Sequence, residues 1–324
     1  MKVTPIKSMQ LQGRISMFEA SLNHVQFILD DRNNNHYILD KDFEVKTQFE
    51  TTYKRSTLSA IHPTEPYAAI MGKEDALHIV GLDGVDIWTK PGDYIAACWA
   101  LDGSSLYSLL RLDSDTLQLI VYDNAGGVVS EEVFKGEFYE SSAFLSTIPN
   151  HEEIAMQLMA GQDGCSTTFI ALNGDNRLSF AAMPAYSYTC VSFDEAGSRF
   201  LCIENDEKSI HHFTYPGLEE IGMYQFEYDL HEGSLDYTLI YLYDKAIIQY
   251  GECFYLLDIK TMEVVEDFVI TGHEPVPVHE IYKNLEDDDS LICDISYMCS
   301  AGKHIIGFAE RDGISDIIVL SKVL

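Results

Sequence analysis

No run of this chain approaches the roughly 18 consecutive apolar residues of a membrane-spanning helix. The opening residues, Met1-Lys2-Val3-Thr4-Pro5-Ile6-Lys7-Ser8, lack the apolar core of a secretory leader. A cytoplasmic protein is the expectation. Basic side chains are scarce: 21 Lys and Arg stand against 52 Asp and Glu in 324 residues, a formal net charge of −31. Nucleic acid and anionic membrane surfaces are disfavoured partners, because affinity for phosphate comes from Lys and Arg. A field of this sign attracts a basic protein, or else serves only to keep the chain soluble. Cysteine pairs are missing too. The seven cysteines (98, 165, 190, 202, 253, 293 and 299) are odd in number, contain no Cys-x-x-Cys, and sit mostly in apolar runs such as Ala97-Cys98-Trp99. Reduced, buried thiols fit this better than a disulfide framework.

Catalytic signatures are also absent. The sequence holds no Gly-x-Ser-x-Gly elbow, no Gly-x-x-x-x-Gly-Lys phosphate loop, no His-Glu-x-x-His and no dinucleotide fingerprint. Among 52 acidic residues no particular pair presents itself as a glycosidase acid and base. No catalytic residue, metal or cofactor is expected on these grounds.

What is present is a hairpin signal that recurs about seven times. Its turns are Asp31-Arg32-Asn33-Asn34-Asn35, Gly72-Lys73-Glu74-Asp75, Asp113-Ser114-Asp115, Gly161-Gln162-Asp163-Gly164, Asn205-Asp206-Glu207, Gly251-Glu252 and Arg311-Asp312-Gly313. Their spacing is on the order of 40 to 60 residues, the period of propeller blades. A first strand of small or β-branched residues precedes each turn region, as in Leu58–His62, Ile95–Ala100, Ser142–Ser146, Tyr188–Phe193, Tyr237–Leu242 and Ile292–Tyr297. A third strand often closes on Asp or Asn, as in Val121-Tyr122-Asp123, Ile170-Ala171-Leu172-Asn173 and Leu256-Leu257-Asp258. Such a side chain bonds its own backbone and starts the next turn.

Three landmarks in a fixed order, repeated along the chain, resemble the WD40-like seven-bladed β-propellers. The third-strand runs Leu117–Gly127 and Phe254–Val265 carry the likeness best. It lies in repeat shape: no Trp-Asp dipeptide occurs, and Gly-His appears only at Gly272-His273, so none of that family's buried polar network transfers to residues here. The resemblance implies an all-β, seven-bladed β-propeller spanning residues 1–324 as a single domain. Blades are expected near 13–56, 57–93, 94–137, 138–184, 185–228, 229–289 and 290–324. The last repeat ends at its third strand, Asp316–Leu320, and the alternating segment Val3–Leu11 is suited to supply the missing outer strand. Residues 1–12 therefore serve as a closing strand, with Pro5 tolerated at an edge.

The longest departure from the repeat is the stretch 271–289. It carries the pairs His273-Glu274 and His279-Glu280 and the triplet Asp287-Asp288-Asp289. Long loops on a rigid scaffold are where binding residues concentrate. These seven residues are the candidate contacts for a basic protein partner; a solvated insertion is the bland alternative. The spacing matches no helical zinc motif, which places two His four apart. His211-His212 lies in a third strand, where alternation sends one ring inward and the other out. His62, before Pro63, reads as a strand-end residue, and the tyrosines between Tyr224 and Tyr255 read as packing between sheets. Together these features predict a cytoplasmic protein-interaction scaffold with an acidic surface. The competing expectation is an enzyme or small-ligand binder, of hydrolase or lyase type, at the mouth of a central channel.

Overall fold

Short β-branched strands separated by Asp- and Gly-rich turns form antiparallel meanders. In the computed structural model every described sheet is of this kind. The structure describes residues 2–12, 17–20, 27–30, 35–39, 44–50, 58–72, 76–136, 142–159, 165–183, 188–204, 208–226, 235–242, 244–250, 253–271, 274–282, 297–301, 304–311 and 314–323.

Strand β1 is Lys2–Gln12. The first meander comprises β2 (Met17–Ala20), β3 (Phe27–Asp30), β4 (Asn35–Leu39) and β5 (Val45–Glu50). The second comprises β6 (Leu58–Ile61), β7 (Tyr67–Gly72), β8 (Ala76–Gly81) and β9 (Asp86–Pro91). The third comprises β10 (Asp93–Trp99), β11 (Ser105–Asp113), β12 (Thr116–Asp123) and β13 (Val128–Lys135). The fourth comprises β14 (Ser142–Thr147), β15 (Ile154–Met159), β16 (Cys165–Leu172) and β17 (Leu178–Ala182). The fifth comprises β18 (Tyr188–Phe193), β19 (Arg199–Glu204), β20 (Ser209–Thr214) and β21 (Glu220–Gln225). The sixth has β22 (Leu235–Leu242), β23 (Lys245–Tyr250), β24 (Cys253–Asp258), β25 (Glu263–Thr271) and an added β26 (Glu274–Pro277), followed by helix α1 (Val278–Tyr282). The seventh runs in the order β1-β29-β28-β27, with β27 Tyr297–Ala301, β28 His304–Arg311 and β29 Ile314–Val323.

Residues 13–186 form one compact unit; residues 1–12 with 187–324 form another. In the first unit, each middle strand divides its side chains between two cores. From β11 and β12, Tyr107, Leu109, Leu117, Leu119 and Val121 pack with Ala143, Ile154, Met156 and Ile170 of the fourth sheet. Leu106, Ile120 and Tyr122, pointing the other way, pack with Ala69, Met71, Leu77 and Ile79 of the second. The second sheet repeats this, turning Ala68, Ile70 and Val80 toward Ile38 and Phe49 of the first. A strand buried on both faces reads as a continuous apolar run, and β11 and β12 do. The second unit follows the same rule. Tyr255 and Leu257 of β24 face Leu201, Ile203 and Ile210, whereas Phe254 and Leu256 face Met298 and Ile305.

Polar contacts lock neighbouring sheets where those cores reach the surface. The His62 ring accepts the backbone N–H of Thr64 (3.1 Å) and of Glu65 (2.8 Å) on Nδ1. Its Nε2 therefore carries the proton and donates to the Gly103 carbonyl at 2.9 Å, in the β10–β11 turn of the next sheet. Trp99 meets the same ring edge-on, centroids 4.6 Å apart. At the outer strand, Trp88 Nε1 donates to the Asn124 carbonyl at 3.1 Å.

The turn prediction for the third strands is met in atomic detail. Asp83 accepts from Val85 N, Asp123 from Ala125 N and Gly127 N, and Asp258 from Lys260 N and Thr261 N. One expectation needs correction. Residues 274–282 are not part of an open loop: Val269↔Val276 and Ile270↔Pro275 pair β26 to β25, and Val278 is buried at the start of α1. Prolines 275 and 277 are tolerated because β26 is the edge. In the last sheet β27 pairs Tyr297↔Phe308 to Ala301↔His304 with β28, and residues 292–296 of the expected first strand lie outside the described residues.

β1 pairs with β29 from Lys2↔Val323 to Gln12↔Ile314, so removing residues 1–12 strips the outer strand from that sheet. Deletion is expected to lower the melting temperature by more than about 5 °C, and an unchanged melt would refute the pairing. Gly103 tests the His62 lock. Its φ is +73°, and an added Cβ would lie 2.4 Å from the His62 ring. Gly103→Ala should cost roughly 2–4 kcal/mol from strain and overpacking, whereas Gly174→Ala, which meets nothing within 4 Å, should stay within about 0.5 kcal/mol in urea denaturation.

Candidate functional site

The turn between β10 and β11 is built by its own backbone. Gly103 N donates to the Ala100 carbonyl (2.9 Å) and Ala100 N to the Ser105 carbonyl (2.8 Å). Asp102 accepts the Ser104 N–H at 2.8 Å. The corresponding turn of the next sheet, between β14 and β15, reverses at Asn150, whose φ is +59°, with His151 N donating to the Ile148 carbonyl at 3.2 Å. Between these two turns and the end of β16 lies an open cleft of about 400 Å³. Ala100, Leu101 and Leu172 give it apolar wall; Asp102, Ser104, Ser105, Tyr107, Asn150, His151 and Glu152 give it polar wall, and no Lys or Arg lines it among the described residues.

The floor is the unusual part. Tyr107 is 2% exposed and Ser105 7%. The Tyr107 ring belongs to the core shared by the third and fourth sheets. Burial first, then the charges near Cys98, Asp102, Glu152 and Glu153, push its hydroxyl up to about 12, so it stays protonated. Tyr107 itself lines the cleft. Neither the Tyr107 hydroxyl nor the Ser105 hydroxyl has a hydrogen-bond partner among the described residues. His151 Nδ1 lies 3.6 Å from Glu153; Glu152 makes no ion pair among the described residues. Chemically the arrangement is acceptor-rich: two carboxylates over two protonated hydroxyls. Ser104 and Ser105 have no hydrogen-bonded base among the described residues, so no activated nucleophile is assembled there.

Of the residues singled out in the sequence, His273 and Asp287, Asp288 and Asp289 lie outside the described residues. Glu274 begins β26, and His279 and Glu280 are exposed on α1. The structure thus places Glu274, His279 and Glu280 within one short strand-helix segment without assembling a ligand set. Among the described residues no group of three or more His, Cys, Asp or Glu could hold a metal ion. The cleft residues were not singled out. Asp102 read only as a turn former, and Glu152 sits about 50 residues away in the next repeat; the recurrence of His-Glu at His151-Glu152 was the one available signal.

His211 and His212 divide as alternation requires. His211 Nδ1 meets Glu220 at 3.0 Å and its Nε2 meets Ser209 Oγ at 2.8 Å. His212 is 4% exposed and its Nε2 lies 3.2 Å from the Tyr241 hydroxyl of the adjoining sheet. Neither is a metal site; His212 is a second inter-sheet lock. Tyr224, 4.9 Å from Phe226 and perpendicular to it, also packs between sheets.

No protein-family model matches this sequence, and no curated protein matches it. In structure the chain is similar to the β-propeller domain of Cps50 (Swd1) from Myceliophteria thermophila, with a TM-score of 0.65 over 99% of this chain and 100% of that one. Identity is 11%, so the likeness is one of fold alone, and this chain is all-β and built of antiparallel sheets.

His212 makes stability sensitive to acid. Burial, then the positive charge of Arg199, lowers its pKa to about 4, against the opposing pull of Asp194. The unfolded chain, with a His near 6.5, takes up the proton first as the pH falls. The stabilisation is therefore complete above about pH 6.5 and is lost progressively toward pH 4, by about 3 kcal/mol. His62 is shifted in the same direction by burial. Denaturation midpoints between pH 7 and 4 should fall less steeply in His212→Gln than in the parent; equal slopes would show that this ring does not titrate as stated.

Proposed function

We propose that this chain is a cytoplasmic protein-interaction scaffold, a single seven-bladed propeller completed by residues 1–12, whose acidic surface holds a basic protein partner. The observation that carries this reading is the cleft between the β10–β11 and β14–β15 turns, where Asp102 and Glu152 stand with no lining Lys or Arg to neutralise them. A carboxylate pair left without a cation in a preformed concavity suits a cationic ligand. The net charge of −31 adds a field that steers such a partner toward the surface. The fold agrees, since rigid sheets fix the turns that present these groups. Glu274, His279 and Glu280, with His273 and Asp287–Asp289, offer a second acidic stretch for a basic partner. The chemistry of the cleft favours binding over catalysis: it collects acceptors and holds no paired nucleophile.

The test uses a fluorescein-labelled peptide rich in Arg and Lys, followed by anisotropy. Binding should weaken at least tenfold between about 50 mM and about 500 mM salt, and Asp102→Asn/Glu152→Gln should weaken it more than Glu131→Gln/Glu132→Gln on β13. No binding at low salt, or affinity indifferent to both salt and the cleft variant, would remove the reading.

A further inference from the structure

Resting on that reading, the cleft can be assigned a narrower ligand. We infer that it receives one arginine side chain of the partner, its guanidinium seated on Tyr107 and Ser105 between Asp102 and Glu152. The argument begins with the floor. Tyr107 and Ser105 line the same concavity and are 2% and 7% exposed as residues, yet neither hydroxyl is among the buried side-chain atoms left without a partner, so water in the cleft reaches both. A group entering the cleft displaces that water and takes its place on the two hydroxyls. The walls say which group. Asp102 keeps one carboxylate oxygen on the Ser104 N–H, leaving the other for a ligand, and Glu152 forms no ion pair among the described residues. Two carboxylates and two hydroxyl oxygens therefore line one cleft.

A metal ion is a poorer match, because no set of three or more His, Cys, Asp or Glu is assembled among the described residues. An ammonium offers three donors and is strongly hydrated. A guanidinium offers five in a planar fork and gives up its water more readily, as entry into a half-buried site requires. Leu101 and Leu172 on the wall would cover the apolar stem of the same side chain. The protonated Tyr107 hydroxyl has a further use: it accepts from the cation while donating its own proton to a carboxylate.

The experiment separates this site from general charge attraction by changing hydroxyls, which leave the net charge alone. Three labelled peptides of one length are compared on the full chain, with a single central Arg, Lys or citrulline in an otherwise constant, mildly basic sequence. The arginine peptide should bind best, and citrulline, which keeps the shape without the charge, should lose most of the gain. Tyr107→Phe should weaken arginine binding about three- to tenfold with the salt slope unchanged, and Ser105→Ala should act in the same direction. Melting curves check that both variants fold; should Tyr107→Phe fail to fold, Ser105→Ala with Glu152→Gln carries the test. Arginine binding within twofold of the parent in every folded variant overturns the assignment while leaving the scaffold reading intact. A lysine peptide bound as tightly overturns the guanidinium. Absence of any salt-sensitive binding by the parent protein removes both.

Discussion

A four-stranded meander in this chain has two apolar faces and can cover neither alone. Leu106 and Tyr107 are consecutive on β11, yet one is buried against the second sheet and the other against the fourth. Cys253 and Phe254 on β24 divide in the same way between the fifth and seventh sheets. The apolar driving force of burial, roughly 25 cal/mol per Å², is thus realised only when sheets stand beside one another within a unit. Outer strands do not share this demand. β9, β13 and β21 expose every other residue or more, and Ile87, Val128 and Met223 stay about half exposed. The chain therefore grades from continuous apolar runs in the middle strands to mixed sequence at the edges.

Interlocked faces leave the margins to polar chemistry, and there the acidic and histidine content acquires a structural meaning. Asp83, Asp102, Asp123, Asp194 and Asp258 each take backbone N–H groups of their own turns. Their charge is a by-product of turn geometry as much as a surface field. His62 and His212 join neighbouring sheets within each unit by reaching across the seam, one to a turn carbonyl and the other to a tyrosine hydroxyl. Both work as neutral rings, because burial disfavours the imidazolium. A hydrophobic seam alone tolerates sliding; a buried bond of fixed geometry sets which turn sits beside which. The cleft inherits its shape from that alignment, since one of its walls is the turn that His62 holds.

Local order was legible in the sequence wherever one residue decides it. Asp123 and Asp258 marked the ends of third strands, and the alternation of Val3–Leu11 marked a strand able to pair with the C-terminal one. Legibility failed where pairing, not pattern, decides. Glu274–Pro277, with two prolines, carries the marks of a loop and is ordered by the free edge of β25. His62 read as a strand end because its bond to Gly103 spans 41 residues. The cleft was invisible for the same reason: no local rule connects Asp102 with Glu152, and Tyr107 and Ser105 look like ordinary β11 residues until their burial is known.

In the proposed site, those two hydroxyls would add specificity without weakening the core. Tyr107 packs in the core between sheets and also lines the cleft, so one side chain serves both. A carboxylate in the same place would need a permanent counter-charge to remain folded. A neutral hydroxyl costs less when empty and still gives direction to a cation when filled. The exposed turns can then carry the charge, where water keeps it inexpensive, while the buried floor supplies orientation. Discrimination between one cationic side chain and another rests on that division: charge brings both to the surface, and the number and direction of fixed acceptors decides between them.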